Sequence, residues 1–493
     1  MPSPVLAATS AARNHMLPIA SRTSRSHWLQ TLVFGIFFNV AIIALNTSQF
    51  IFLPLSFLPS TQPLYEKFVA YTKHSFGVLL VSISQLFAPT TIVLSFTDAQ
   101  GRPIDAQKFV IRDENRRGPD GLGTVTQVKM PDRSVWISNH QVYVDWLYLW
   151  CVAYYANMAD SIIIILKASL KKVPFVGWGM QFFRFIFLAR NWQADRMPLA
   201  KHLSFLAERS HSQHDKTDKK RQDDNVADAK AARASPAKLL LLIFPEGTIF
   251  TANTKAQSDK YAQKMGYKNE LKYTVLPRST GLLFCLRALA ADIDDLWLVD
   301  YTIGYPGIAP TGYGEDYYTL RSVFMQGVPP PRVHLNCIMT RVTAPDDGAK
   351  SGPSVDSMAT LGGSVAAAAV GTDALADHPP LGRLASSGKA SGTKENEPTK
   401  EEQECFAAWL RERWAVKDRL MDSFNRDGDF VHGAYTRRLQ RDGTQGLEKL
   451  ITPQFFEIPV ELRSPLELGH AFVWGLPVWV AAGVIQGYKA LKG

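Results

Sequence analysis

A chain of 493 residues, 46% hydrophobic and 20% charged, is long enough to bury a deep core with a site inside it, and nothing in this composition forces disorder or a fibre. The formal net charge of +9 is spread along the chain, which suits an anionic membrane surface or phosphate-bearing substrates without singling out nucleic acid. Cys151, Cys285, Cys337 and Cys405 lie far apart, without the paired spacing of a zinc site or a redox dithiol, and read as buried thiols.

Residues 1–27 carry Arg13, Arg22 and Arg25 with no acid among many Ser and Ala. Such a tail is either a mitochondrial presequence or a basic cytosolic flank to a membrane segment, and the second reading is preferred. Trp28 to Leu45 follows, close to the roughly 20 apolar residues that cross a bilayer. Asn46 to Gln49 reads as a polar break. Two shorter apolar runs come after it, Phe50 to Leu58 and Phe76 to Phe87, each too short to span alone, with a core helix as the other reading. Residues 28–88 are thus expected to be membrane-associated helices.

Residues 89–343 alternate strand-like and helix-like segments. Thr91 to Phe96, Ser134 to Ser138, Ser161 to Leu166, Phe185 to Leu188, Leu239 to Phe244 and Trp297 to Ile303 are β-branched or apolar runs, separated by helical stretches such as Trp146 to Asn157 and Gly281 to Ala291. That order predicts an α/β domain, a mixed sheet with flanking helices whose chemistry sits on loops at strand ends. Ser210 to Lys238 is charged and reads as a disordered surface loop, and residues 344–404, rich in Gly, Ala, Ser and Pro, read as a disordered linker. Residues 405–469 form a C-terminal region. Residues 470–493 include the uncharged run Ala471 to Ile485, where Pro477 makes a tilted or interfacial helix as reasonable as a crossing. No internal repeat is present.

The run Ser138-Asn139-His140-Gln141-Val142-Tyr143-Val144-Asp145 carries the most chemistry. A histidine leaving a strand can serve as general base, and a carboxylate a turn later can hold its tautomer. Residues five apart do not share a helical face, so the pair requires His140 at or before the helix start. The bland alternative is a histidine capping a helix. A second block gives the pair its weight: Leu239 to Phe244 ends in Pro245-Glu246-Gly247-Thr248, a turn that puts a carboxylate and backbone amides at a strand's C-terminal edge, suited to a phosphate or an oxyanion.

Together these blocks resemble the glycerolipid and lysophospholipid acyltransferases related to the 1-acylglycerol-3-phosphate acyltransferases. N-H-x4-D matches Asn139, His140 and Asp145, and F-P-E-G-T matches Phe244 to Thr248. Gly179 through Ile186, Phe187 and Arg190 looks like the family's glycine and I-F-x-x-R block. Val275 to Gly281 resembles the P-R-T-T-G-F stretch of the lysocardiolipin and lysophosphatidylinositol acyltransferase branch, with conservative departures at Ser279 and Leu282; Asp300-Tyr301-Thr302 and Tyr305-Pro306 extend the likeness. It covers about residues 85–340.

The resemblance implies that His140 deprotonates the free hydroxyl of a lysophospholipid, which attacks the thioester of acyl-CoA while Asp145 orients the imidazole. Glu246, Gly247 and Thr248 would position the acceptor, Arg190 and Arg278 would pair with its phosphate, and Lys167 is a further phosphate candidate. Acyl-CoA would be a co-substrate, with no cofactor and no metal; the lipid bilayer would be a partner and nucleic acid would not. Three rival activities stand beside this: a CoA-independent transacylase, a catalytically silent lipid-binding membrane protein, and a thioester or lipid hydrolase. The endoplasmic reticulum membrane is the expected location, a mitochondrial membrane the alternative. A single crossing at Trp28 to Leu45 would put His140 in the lumen, away from cytosolic acyl-CoA. One of the short runs is therefore expected to complete a return, by a tilted crossing or a re-entrant hairpin.

Overall fold

The computed structural model describes residues 16–22, 27–118, 122–223, 237–268, 270–342, 378–382, 384, 397–431 and 454–492. Its strands are β1 (Thr91–Phe96), β2 (Val110–Arg117), β3 (Gly123–Val128), β4 (Arg133–Ser138), β5 (Ile162–Lys167), β6 (Ile186–Leu188), β7 (Leu239–Ile243), β8 (Trp297–Gly304), β9 (Arg332–Arg341) and β10 (Phe455–Pro459). Eight of them form one sheet in the order β10-β1-β9-β8-β4-β7-β5-β6, and β2 and β3 pair as a separate hairpin. From β8 through β4, β7 and β5 to β6 every pairing is parallel; β8 with β9 and β1 with β10 are antiparallel, so the sheet is mixed, as expected.

The central strands are covered on both faces, which is why β7 is apolar throughout and the middle of β4 and most of β5 are apolar too. Alternate residues feed two cores. Trp136, Leu240, Leu242 and Val299 point into one with α1 (Trp28–Phe52), α2 (Gln62–Phe87) and α3 (Asp145–Tyr155). Val135, Ile137, Leu241 and Ile243 point into the other, where they meet α5 (Trp192–Asp223), α7 (Ser279–Ala290) and α8 (Lys400–Asp427). Between them in the chain lie α4 (Val176–Phe182) and α6 (Ala252–Lys264).

Several expectations are corrected. Asn46 to Gln49 does not break the first helix: α1 runs through it, because Asn46, Ser48 and Gln49 are buried, with Gln49 donating to Thr72 at 3.5 Å. Phe50 to Leu58 is therefore the end of that helix, continued by the short turn Leu53–Ser56. Phe76 to Phe87 is the second half of α2, and Val78 to Ile83 are at most 2% exposed, so it is a core helix. Ser210 to Asp223 continues α5 rather than forming a loop, and the rest of that stretch to residue 236 lies outside the described residues. The linker ends earlier than 404, since Thr399 caps α8 through a reciprocal bond pair with Glu402. Within it Leu381 is buried. Residues 343–377 lie outside the described residues. The sheet is not confined to 89–343 either, because β10 pairs with β1. The run Ala471 to Ile485 is not one helix: α9 (Leu476–Lys492) begins within it, with Pro477 as its second residue, a position where the missing amide costs nothing. Of the cysteines, Cys151, Cys285 and Cys337 are buried and Cys405 is only partly so.

Among the described residues, one helix, Trp28–Ser56, is long and apolar enough to cross a membrane, and the pair Pro465–Ala471 and Leu476–Ile485, bent by 55°, passes the same test only if taken together. The two ends of Trp28–Ser56 both rest on the α/β body: Phe34 stacks on Phe324 at 5.3 Å, and Phe50 meets Phe182 at 5.0 Å. α1 and α2 run antiparallel, with Gln30 donating to the Phe87 carbonyl at one end and Phe52 stacked on Phe68 at the other. The outward face of α1 exposes Leu29, Leu32, Ile36, Val40, Ile43 and Ile51, and α9 adds Val478, Val484 and Ile485.

Candidate active site

β4 and β7 lie side by side and parallel, so their C-terminal ends deliver His140 and Glu246 to one edge of the sheet. Asn139 fixes the first of these ends to β8: its side chain donates to the Ile303 carbonyl at 3.1 Å and accepts the Ile303 amide at 2.8 Å. The His140 carbonyl is held in turn by the Phe250 amide at 2.8 Å.

Asp145 is the first residue of α3, and His140 precedes the helix, which is the condition the spacing demands. His140 Nδ1 meets Asp145 Oδ2 at 2.7 Å. The same oxygen accepts the amides of Gln141 at 2.7 Å and Val142 at 3.0 Å, and Oδ1 accepts the Tyr305 hydroxyl at 2.6 Å. Asp145 is fully buried, and a negative charge there also faces the positive end of α3. A carboxylate that only accepts puts the imidazole proton on Nδ1 and leaves the Nε2 lone pair available. No described residue bonds Nε2. The ring lies over Phe244 at 4.3 Å, and the side chain keeps 18% of its surface exposed.

Glu246 is 2% exposed. One carboxyl oxygen accepts the Trp414 indole N–H at 3.0 Å, and the other faces the His140 amide at 3.4 Å. Burial pushes this carboxyl up to about 8, against the pull of those two donors and of Lys417. The turn beyond it is closed by the Gly247 amide on the Phe244 carbonyl at 2.9 Å, so that amide is not free as the sequence suggested. Gly247 has φ 68°, in the left-handed region where a side chain is strained.

Arg190 donates to the Gly247 carbonyl at 2.6 Å, and the Arg278 side chain passes 3.5 Å from the place a Gly247 Cβ would occupy. The Arg278 amide bonds the Pro245 carbonyl at 2.8 Å. Two exposed guanidinium groups thus converge on one turn, at the N-terminus of α7; burial and the nearby Arg278 charge both lower the Arg190 pKa. Thr248 is half-buried beside them. Lys167 ends β5 on the same sheet edge but is exposed, and no described bond joins it to the other candidates. Tyr305 and Trp414 are the two polar partners of the acidic pair that sequence reasoning did not assign. Tyr305 stood inside a quoted motif; nothing in the local sequence marks Trp414.

Residues 124–303 match the family model named Acyltransferase, and residues 395–445 match the model named Acyltransferase C-terminus. An uncharacterized acyltransferase of Schizosaccharomyces pombe is 29% identical over 79% of this chain and 83% of its own length. The 2-acyl-1-lysophosphatidylinositol acyltransferase of Saccharomyces cerevisiae is 34% identical over 54% of this chain, and lysocardiolipin acyltransferase 1 of Danio rerio is 36% identical over 36%. Those two matches cover 65% and 39% of the relatives' own lengths, less than two thirds in each case. The crystal structure of the 1-acyl-sn-glycerophosphate (LPA) acyltransferase PlsC from Thermotoga maritima aligns over 68% of this chain and 94% of that one, at 14% identity and a TM-score of 0.33.

Proposed function

We propose that residues 124–303, which match the Acyltransferase family model, carry the active site of an enzyme that moves an acyl group from acyl-CoA to a free hydroxyl of a lysophospholipid, with His140 as general base. The contact between His140 Nδ1 and Asp145 Oδ2 at 2.7 Å, with Nε2 left open, carries this reading. In the step proposed, Nε2 takes the acceptor's hydroxyl proton as its oxygen bonds the thioester carbonyl carbon. The tetrahedral adduct then collapses, the C–S bond breaks, and the proton passes from Nε2 to the departing CoA sulfur. Asp145 and Tyr305 hold the imidazole in register for both transfers. The thioester is already activated, so no acyl-enzyme is required.

Arg190 and Arg278 would take the acceptor's phosphate, with the first turn of α7 adding amide dipoles of the right sign. Gly247 and Thr248 form the floor of that place. Glu246 is buried, so its part would be to fix the turn and the His140 backbone rather than to touch the acceptor. Lys167 would act only at the outer margin. No cofactor enters the reaction.

The outward apolar face of α1, continued by α9, would lie in the bilayer interface, since both ends of α1 rest on the body. The helical hairpin then returns the chain to one side, and His140 would face the cytosol, at the endoplasmic reticulum or, as the alternative, a mitochondrial membrane. The experiment is to give microsomes containing the protein a panel of lysophospholipids labelled in the head group, with and without oleoyl-CoA labelled in its acyl chain. Label entering diacyl phospholipid only with the thioester supports the reading. Transfer without it indicates a transacylase, and release of free fatty acid without acceptor indicates a hydrolase.

A further inference from the structure

The helix that follows the low-complexity segment reaches the catalytic edge of the sheet. α8 is amphipathic, and its inner face buries Phe406, Trp409, Leu410, Arg413, Trp414 and Lys417. Most of that face is apolar and would suffice to dock the helix. Three of its polar groups go further. Arg413 meets Asp300 at 3.2 Å, Lys417 also pairs with Asp300, and Trp414 gives its indole N–H to Glu246 at 3.0 Å. Asp418 then accepts the amides of Lys272 and Tyr273, each at 2.8 Å, in the segment that leads to Arg278.

We infer that Trp414 is a positioning residue for acyl transfer: through Glu246 it sets the turn on which the acceptor's two arginines are mounted. The route is continuous. Trp414 holds Glu246, Glu246 belongs to the turn closed by Gly247, and that turn gives its Gly247 carbonyl to Arg190 and its Pro245 carbonyl to the Arg278 amide. A buried carboxyl that loses a donor must turn toward another one, and here the other is the His140 amide. The arginines would shift with it. This inference rests on the proposed acceptor site.

Trp409 provides a control on the same helix. It is also buried, but its indole nitrogen bonds nothing among the described residues. Trp409→Phe and Trp414→Phe therefore remove the same atoms, and only the second takes a bond from Glu246. The full-length protein in microsomes would be assayed with oleoyl-CoA and the better acceptor of lysophosphatidic acid and lysophosphatidylinositol. Trp414→Phe should raise the acceptor KM about five- to tenfold, leave the oleoyl-CoA KM within about twofold, and lower kcat by at most about threefold. Trp409→Phe should leave all three within about twofold. Glu246→Leu should raise the acceptor KM as well, and in that background Trp414→Phe should add less than about twofold, because the bond it removes is already gone.

If Trp414→Phe does not accumulate folded, benzothienylalanine placed at 414 replaces the N–H by sulfur at nearly constant shape and serves for the same measurement. An unchanged acceptor KM in Glu246→Leu would overturn both the acceptor site and the role of Trp414. A raised KM there overturns the inference alone if Trp414→Phe matches Trp409→Phe, or if its effect multiplies in full on Glu246→Leu.

Discussion

Tyr305 and Asp145, 160 positions apart in the chain, are joined by a hydroxyl-to-carboxyl bond of 2.6 Å that leaves Asp145 Oδ2 to His140. The bond is buried, so its loss strips one donor from a carboxylate that water cannot reach. Such a loss costs about 1–3 kcal/mol. Tyr305→Phe should therefore lower kcat about tenfold or more while leaving both KM values near wild type, since the phenol touches neither substrate in the proposed reaction. Steady-state kinetics in microsomes checks this. A wild-type kcat would remove Tyr305 from the orienting chain.

Glu246 links stability to pH. Its carboxyl stands at about 8 in the folded protein against an ordinary value of 4.5, so the folded state holds a proton that the unfolded state has released. Stability from this group is complete below 4.5 and is lost as pH rises through about 8. Glu246→Gln does not titrate and escapes that loss. Thermal unfolding in detergent should show the variant gaining on wild type between pH 5 and pH 9, by roughly a few kcal/mol. A difference independent of pH would contradict the protonated, buried acid.

How far the sequence could be read depended on where polar residues are buried. The six strands visible as apolar runs include the central ones, β4, β5, β7 and β8, covered on both faces. β9 escaped notice because it buries His334, Asn336 and Thr340 among its apolar residues; Asn336, for one, accepts from Ser95 and donates to Thr97. β2, whose outer half is charged and exposed, has no apolar run to show. The same effect made α1 look broken, since Asn46 and Gln49 face the body rather than water. At the site, His140 and Asp145 were legible because they are five apart in one motif. Trp414 lies 168 positions from the carboxylate it serves, and only the packing of α8 brings them together.

The segment before α8 can be trimmed, within limits that the structure moves. His378 Nδ1 lies 2.7 Å from the Arg341 carbonyl, so the chain re-enters close to where it leaves, and a short joint bridges the gap. Deleting residues 345–376 should keep acyl transfer within about twofold of wild type. Deleting 344–404, as composition alone suggested, removes buried Leu381 and the Thr399 cap of α8, and should abolish activity by detaching that helix. Loss of activity in the shorter deletion would show that residues 345–376 carry a function.

The most direct measurement is acyl transfer by His140→Ala in microsomes, using labelled oleoyl-CoA and a lysophospholipid that the wild type accepts, with membrane retention and thermal unfolding measured alongside. Removing a general base costs on the order of 10²–10⁴-fold in rate, and the side chain is 18% exposed and outside the apolar cores, so the variant should remain folded and membrane-bound. A loss of that size in a folded protein is the predicted result. Activity within a few-fold of wild type would contradict His140 as the base.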